Sequence, residues 1–335
     1  MKKITALLLM VMTCVAGCRK DKEIVMNPNA EIKTLTHCIG RHYVNIPDSF
    51  VESSLATGIF KESNYGRQAQ SIDVAVSTSK VSKSEYLKKK NSRENELRML
   101  SGEVFDKLQM VRGVSNDLAI FRIQRMDDAY ISEVSALHEA SMVTARLASF
   151  GNQFEKAEER LINFVSRLKL NKRIGGGKIS GFCLGRLVLA GDFEREEGEY
   201  SFSDKGGIRV SFKIETFTRN EAVDLLARVS GPKSLLTIFK VEHKVLRARE
   251  LEVAGMRAQE WLSSAILQDE SDVQTHTFEL QTKRPTPGKL EPLISVTLTT
   301  AQPQGNGMYP EKSTPDKEAI ALWDGIVNSI RLSED

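Results

Sequence analysis

Residues 38–47 read CIGRHYVNIP, and residues 183–192 read CLGRLVLAGD. Cys, Gly and Arg recur at the same spacing, and both stretches continue into alternating apolar residues. Such alternation is typical of a half-buried strand. The repeat predicts that the chain is a duplication, with each half opening on a strand that begins at Cys-x-Gly-Arg.

The ends of the two halves also match. Residues 163–170 read NFVSRLKL and residues 325–332 read GIVNSIRL, and both are predicted to be the last turns of amphipathic helices. One apolar residue in every three or four marks the buried stripe of such a helix. The two stripes are Phe154, Ala157, Leu161, Val165 and Leu168 in the first half, and Ile320, Trp323, Val327 and Ile330 in the second.

Strand and helix signals are mixed along the chain without regular alternation, which favours an α+β fold over a doubly wound parallel sheet. The predicted strands are 72–76, 118–123, 131–137, 208–216, 236–245, 277–280 and 293–299, and the predicted helices are 83–100, 220–228 and 256–267. We therefore expect two related tandem α+β domains, each a mainly antiparallel sheet with packed helices, at 35–171 and 180–335. A glycine-rich linker at 172–179 joins them, and a groove is expected between them.

The N-terminus has the pattern of an export signal. Lys2 and Lys3 precede an apolar run of about 12 residues, which spans only about 18 Å as a helix and is too short for a bilayer core of about 30 Å. The following Val15-Ala16-Gly17-Cys18 resembles a bacterial lipobox. This predicts a signal peptide at 1–17, a lipid on Cys18 and a tether at 18–34. The alternative is an ordinary cleaved signal with a coincidental cysteine.

The predicted export fixes the expected compartment. By resemblance to other lipoproteins, Arg19 after the lipidated cysteine favours the outer membrane, so we expect a periplasmic protein anchored in the membrane by its N-terminal lipid. Loss of Lys2 and Lys3 lowers the formal charge from +3 to about +1, which offers no general attraction for nucleic acid.

Two cysteines remain once Cys14 is removed and Cys18 is lipidated. Cys38 and Cys183 occupy equivalent places in the repeat, and the expected compartment permits disulfides. Either they form a bridge, or each is a small buried residue in its own domain.

The sequence lacks the common motifs of catalytic, phosphate-binding and metal-binding sites. The sequence has no Gly-x-Ser-x-Gly, and the glycines at 175–177 lack the spacing of a phosphate loop. His138-Glu139 is not followed by a second histidine at metal-binding spacing. His37 and His42 lie near Cys38 but lack a fourth ligand nearby in the sequence. We therefore expect no enzyme activity, no cofactor, no metal and no small-molecule substrate.

Two charge clusters are either solvated faces or partner surfaces. One is a basic helix at 83–98. The other is a predicted acidic loop at 192–199, formed by Asp192, Glu194, Glu196, Glu197 and Glu199.

Three motifs carry a family resemblance: CIGRHYVNIP at 38–47, Ala254-Gly255-Met256 with Gln259-Glu260-Trp261, and ALWDGI at 321–326 with SIRL at 329–332. From about residue 38 to 332 the chain resembles immunity proteins paired with type VI secretion lipase effectors, in the fourth Tle–Tli class. The resemblance implies a two-domain periplasmic protein that binds a phospholipase toxin and blocks its active site or lid. It assigns no toxin-binding residue, because the matched motifs are structural.

Two other functions stay open from the sequence. One is an envelope scaffold or assembly lipoprotein without a toxin partner, and the other is a hydrolase with an unrecognised site. A neighbouring gene for a lipase would favour the inhibitor over the scaffold.

Overall fold

The structure is a computed structural model that describes residues 33–62, 70–100, 106–171, 181–191, 193–217, 224–230, 243–266, 273–283, 287–302, 309–310 and 313–333. The predicted signal peptide, the tether up to residue 32 and the linker at 172–179 lie outside the described residues. Residues from Thr34 onward form one compact unit.

The described strands and helices divide between the two halves of the chain. The first half contains β1 (Thr34–Ile39), β2 (His42–Pro47), β3 (Val51–Glu52), β4 (Leu55–Glu62), β5 (Ile72–Ser77), α1 (Lys83–Leu100), β6 (Lys107–Ser115), β7 (Leu118–Met126), β8 (Ala129–His138), β9 (Ser141–Phe150), α2 (Phe154–Ser166) and β10 (Leu168–Leu170). The second contains β11 (Phe182–Leu184), β12 (Leu187–Leu189), β13 (Phe193–Ser203), β14 (Arg209–Glu215), α3 (Leu225–Ser230), β15 (Lys244–Val253), β16 (Met256–Ile266), β17 (Gln274–Thr282), β18 (Leu293–Thr299), α4 (Asp316–Val327) and β19 (Arg331–Leu332).

One antiparallel sheet of thirteen described strands runs through both halves. Its order is β15-β16-β17-β18-β14-β13-β4-β5-β9-β8-β7-β6, and β3 also pairs with β13. Each half supplies a pair of strands followed by a four-stranded meander, and the two halves join where β4 pairs with β13. The same order of elements on both sides of this junction agrees with the duplication predicted from the sequence.

The junction is centred on two glycines. Gly58 in β4 lies opposite Gly198 in β13. A Cβ atom on Gly58 would approach the Leu184 side chain to 3.1 Å, and one on Gly198 would approach Phe182 to 2.8 Å. Because such contacts are too close for a methyl group, these glycines allow the β11–β12 hairpin to pack directly under the central strands.

Two small sheets interlock the halves. The C-terminal strand β19 pairs with β2 of the first hairpin, and β10 pairs with β12 of the second. The turns of these hairpins are Gly40-Arg41 and Gly185-Arg186, with φ of +58° and +54° at the glycines. A two-residue hairpin turn of this kind needs glycine at its first central position. The Cys-x-Gly-Arg motif therefore ends a strand and forms a turn, whereas the sequence predicted that it begins a strand.

Three further predictions need correction. The 256–267 segment is not a helix but strand β16, which enters from a turn at Ala254 and Gly255 with φ of +50° and +75°. The predicted last turns of the closing helices are partly strands, because α2 ends at Ser166 and α4 at Val327, before β10 and β19.

The α+β class with a mainly antiparallel sheet is confirmed, but the division into two tandem domains is not. A continuous sheet and a single main cluster of buried residues contain side chains from both halves. The domain boundaries stay a prediction. Of the predicted segments at 220–228 and 236–245, only 224–228 and 243–245 are described.

Candidate protein-binding face

The large sheet has one covered face and one open face. Helices α2 and α4 and the two hairpins pack on the covered face, where Phe60 contacts Phe164 and Phe182. On the open face, alternate residues of β4, β5, β9, β13, β14 and β18 are exposed or half-buried. This pattern follows from the two-residue period of a strand.

The open face is bounded by one helix from each half. Leu97 of α1 packs on Phe121 and Ile123, and the Tyr86 hydroxyl donates to the carbonyl of Ser135 at 3.0 Å. At the other end, the backbone N–H of Leu226 in α3 donates to the Gln259 side chain at 3.2 Å. The central strands therefore form the floor of a trough between α1 and α3.

Two adjoining grooves lie on this floor, with volumes of about 410 and 490 Å³. Both are lined by Leu55, Thr57 and Glu199, which sit at the junction of the halves. The first groove is rich in hydroxyl groups, contributed by Ser53, Thr57, Ser201, Ser211, Ser295 and Thr297. Such a floor presents hydrogen-bond donors and acceptors over a broad area.

The charges on the floor are mixed. Lys213 Nζ lies 3.2 Å from Glu197, and burial opposes its charge, yet hydrogen bonds to Glu197 and Glu215 hold the pKa of Lys213 above its usual value. Asp73 lies opposite Arg146 in the sheet, and partial burial raises the pKa of Asp73 while Arg146 opposes that rise. The face would suit a polar partner surface that carries both signs of charge.

The predicted acidic loop at 192–199 is wrong. From Phe193 onward this segment is strand β13, and Glu196 is completely buried. Its carboxylate accepts two hydrogen bonds from Arg41, at 2.9 and 2.6 Å. A buried carboxylate in such a pair holds the fold together and cannot steer a partner.

The predicted basic helix is α1, but acidic side chains offset much of its charge. Arg93 donates two hydrogen bonds of 2.9 Å to the buried Glu133. Exposed pairs one turn apart join Arg98 to Glu94 and Lys89 to Glu85. These pairs weaken the positive field that the sequence suggested for this surface.

Cys38 and Cys183 form a disulfide with Cα atoms 5.9 Å apart, at the junction on the covered side of the sheet. His37 stacks edge-on against Phe202, whereas the His42 ring is buried, which lowers its pKa to about 4. The described residues contain no group of three or more metal-ligating side chains. Cys18 lies outside them.

Three side chains that the sequence analysis did not single out are arranged like the hydroxyl, histidine and carboxylate of a hydrolase triad. The His276 ring lies 3.0 Å from Thr300 Oγ1 and 2.9 Å from Asp316. Thr300 is completely buried, and its hydroxyl already accepts the backbone N–H of His276 at 2.9 Å. A substrate has no access to this hydroxyl, so the contacts serve to fix the start of α4 against β17.

None of the described helices combines the length and apolar character needed to cross a bilayer.

Residues 178–334 match the family model described as the Tle cognate immunity protein 4 C-terminal domain. This match confirms the resemblance recognised in the sequence. No curated protein matches the sequence.

Solved structures share the fold. The apo immunity protein TplEi of the type VI secretion system (T6SS) from Pseudomonas aeruginosa is 19% identical with a TM-score of 0.63, over 90% of this chain and 97% of that chain. A chain of the Tle4–Tli4 complex is 20% identical with a TM-score of 0.64, over 90% and 97%. TplEi complexed with "L" peptide is 21% identical with a TM-score of 0.60, over 90% and 98%. At these identities the likeness concerns the fold.

Proposed function

We propose that this protein is an immunity protein that binds a cognate type VI secretion phospholipase effector and inhibits it by covering its active site or lid. The family match of residues 178–334 carries the proposal. A second support is the exposed trough, which offers a broad polar surface rather than a deep pocket for a small molecule. Inhibition of this kind needs no chemistry from the inhibitor.

The dimensions of the trough argue for contacts from both halves. Six strands spaced about 4.8 Å apart, each about 23 Å long, give a floor of roughly 550 Å². A stable interface buries about 800 Å² on each partner. The floor already contains three strands from each half, and contact with the walls formed by α1 and α3 would enlarge the interface.

The proposed location is the periplasm, with a lipid on Cys18 holding the protein at the outer membrane. Export and anchoring would bring the inhibitor to the lipid surface that a phospholipase attacks, and this raises its effective concentration there. More than one acyl chain on Cys18 would make the anchoring stable.

Co-purification with the lipase encoded by the neighbouring gene tests the proposal. The informative variant is Thr57→Arg with Thr297→Arg, because both threonines are exposed on the floor of the trough. Glu155→Arg is the matched control, since Glu155 is exposed on α2 on the covered side of the sheet. We expect the wild type and the control to retain the lipase and the double variant to lose it. Equal retention of the lipase by the wild type, the control and the double variant would place the interface outside the trough floor. If the wild type did not retain the lipase, the proposed function would be wrong.

A further inference from the structure

The Cys38–Cys183 disulfide lies where the two hairpins meet. The backbone N–H of Cys183 donates to the carbonyl of Gly40 at 2.7 Å. The Tyr200 hydroxyl accepts the N–H of Gly40 at 2.8 Å and donates to the carbonyl of Cys183. One covalent bond and one hydrogen bond therefore tie the first hairpin to the second directly, and the Tyr200 hydroxyl of β13 bridges them through two more.

The two sulfur atoms differ in their surroundings. Cys183 is completely buried and packs with Tyr43, whereas Cys38 is only partly buried. The side-chain amide of Asn171 donates to Cys183 Sγ at 3.7 Å. Thiol–disulfide exchange requires direct attack on an accessible sulfur, and the departing thiolate is favoured by a hydrogen-bond donor. Cys38 is the more exposed cysteine, so attack is expected at its sulfur. Burial disfavours a thiolate at Cys183, and the Asn171 amide offsets part of that cost.

The bond also restrains the small sheet to which Cys38 belongs. Strands β1, β2 and β19 form a small sheet of their own, outside the large sheet. The disulfide closes a loop with a sequence separation of 145, which greatly limits the freedom of the opened chain. Without that restraint, local opening of this small sheet becomes more frequent.

We propose that Cys38 is a thiol–disulfide exchange site for dithiols, and that its reduction unlatches the β1–β2–β19 sheet. A thiolate of the dithiol attacks Cys38 Sγ, the S–S bond breaks, and its electron pair leaves on Cys183 Sγ, which takes up a proton. The second thiol of the reagent then displaces Cys38. Both cysteines finish as thiols, and the dithiol is oxidised to its own disulfide. This step does not depend on the proposed effector.

Variants of the full chain that lack one of the two bridged cysteines, purified in mild detergent, test the site of attack, with labelling read for each cysteine by mass spectrometry of its peptide. Cys183→Ser leaves Cys38 free, and Cys38→Ser leaves Cys183 free. We expect a maleimide to label Cys38 in the native protein more than tenfold faster than Cys183, with equal rates in denaturant. Equal native rates, or faster labelling of Cys183, would overturn the proposal.

Hydrogen exchange with and without dithiothreitol tests the latch. In the wild type, reduction should raise amide exchange at 34–47 and 331–332 by at least tenfold and leave β7 and β8 unchanged. The Cys38→Ala/Cys183→Ala variant is the control and should show no effect of dithiothreitol. Unchanged exchange at 34–47 in wild-type protein shown by mass to be reduced, or resistance to reduction without denaturant, would contradict the proposal.

Discussion

Arg41 and Glu196 form a two-pronged ion pair that joins the first hairpin to β13, the strand of the second half that pairs with the first half. Arg41 is the second residue of the Gly40-Arg41 turn, and its partner is completely buried, with N–O distances of 2.9 and 2.6 Å. Arg186 lies in the equivalent turn of the second hairpin, but its guanidinium donates to the carbonyl of Ala140 at 3.0 Å. Equivalent arginines thus have different partners.

Arg41→Ala should destabilise the protein strongly, because it leaves the Glu196 carboxylate buried without a counter-charge. The expected loss is about 3–5 kcal/mol in free energy of unfolding. Arg186→Ala is the matched control and should cost only about 0.5–1.5 kcal/mol, the value of an ordinary hydrogen bond. Chemical denaturation measures both free energies of unfolding. Equal losses would show that the buried ion pair stabilises the fold no more than the exposed hydrogen bond of Arg186 does.

Trp323→Ala should also be costly. Trp323 is completely buried, stacks edge-on against Phe278 and donates its indole N–H to Glu260 at 3.0 Å. Removing a buried tryptophan costs about 3–5 kcal/mol. Ile320→Ala on the same helix is the control and should cost less, because Ile320 is only partly buried. A melting temperature unchanged by Trp323→Ala would contradict the burial of Trp323 in the core.

Cutting the chain at a protease site inserted at 175–177 should not separate the halves. They share the β4–β13 pairing, the β10–β12 and β2–β19 pairings and the disulfide. We expect the cut protein to elute as one particle and to come apart only after denaturation with reduction. Release of two folded halves under native conditions would instead support independent tandem domains.

His42 should make the protein less stable in mild acid. Burial lowers its pKa from 6.5 to about 4, so the unfolded chain takes up a proton that the folded protein excludes. Stability from this group is present above pH 6.5 and is lost as the pH falls toward 4, by about 2–4 kcal/mol. Burial raises the pKa of Glu52 from 4.5 to about 7. The stability that Glu52 contributes is therefore present at low pH and is lost as the pH rises from 4.5 to about 7.

His42→Leu isolates the histidine effect. Both ring nitrogens of His42 lack a hydrogen-bond partner among the described residues, so an apolar replacement leaves no polar group unsatisfied. The variant should equal or exceed the wild type in stability at pH 7, and its advantage should grow between pH 6.5 and 4. A constant difference across that range would exclude His42 as the source.

The sequence was most informative where both periodicity and repetition were strong. Helix 83–100 and strands such as 293–299 have the predicted bounds, and the α+β class follows from them. Strand β16 was misread as a helix because it is buried on both faces, so its apolar residues do not alternate. The turn signal at Ala254-Gly255 was available and would have favoured a hairpin.

The candidate binding face could be predicted only as a groove between two halves. The sequence suggested that Glu196 and Glu197 are solvated, because two of their partners, Arg41 and Lys213, lie elsewhere in the sequence, Arg41 in the other half. A local signal for the junction did exist, since glycine precedes an aromatic residue by two positions in both Gly58-Ile59-Phe60 and Gly198-Glu199-Tyr200. The helices that bound the trough follow only from the tertiary structure.

Stoichiometric inhibition of the neighbouring gene's lipase is the most direct test of the central claim. Fatty-acid release from phospholipid vesicles should fall linearly with added protein and reach a minimum near an equivalence point, without any consumption of the inhibitor. Glu155→Arg should reproduce this curve, and Thr57→Arg with Thr297→Arg should shift it to much higher concentration. Undiminished fatty-acid release at a molar excess of the wild type would contradict the account.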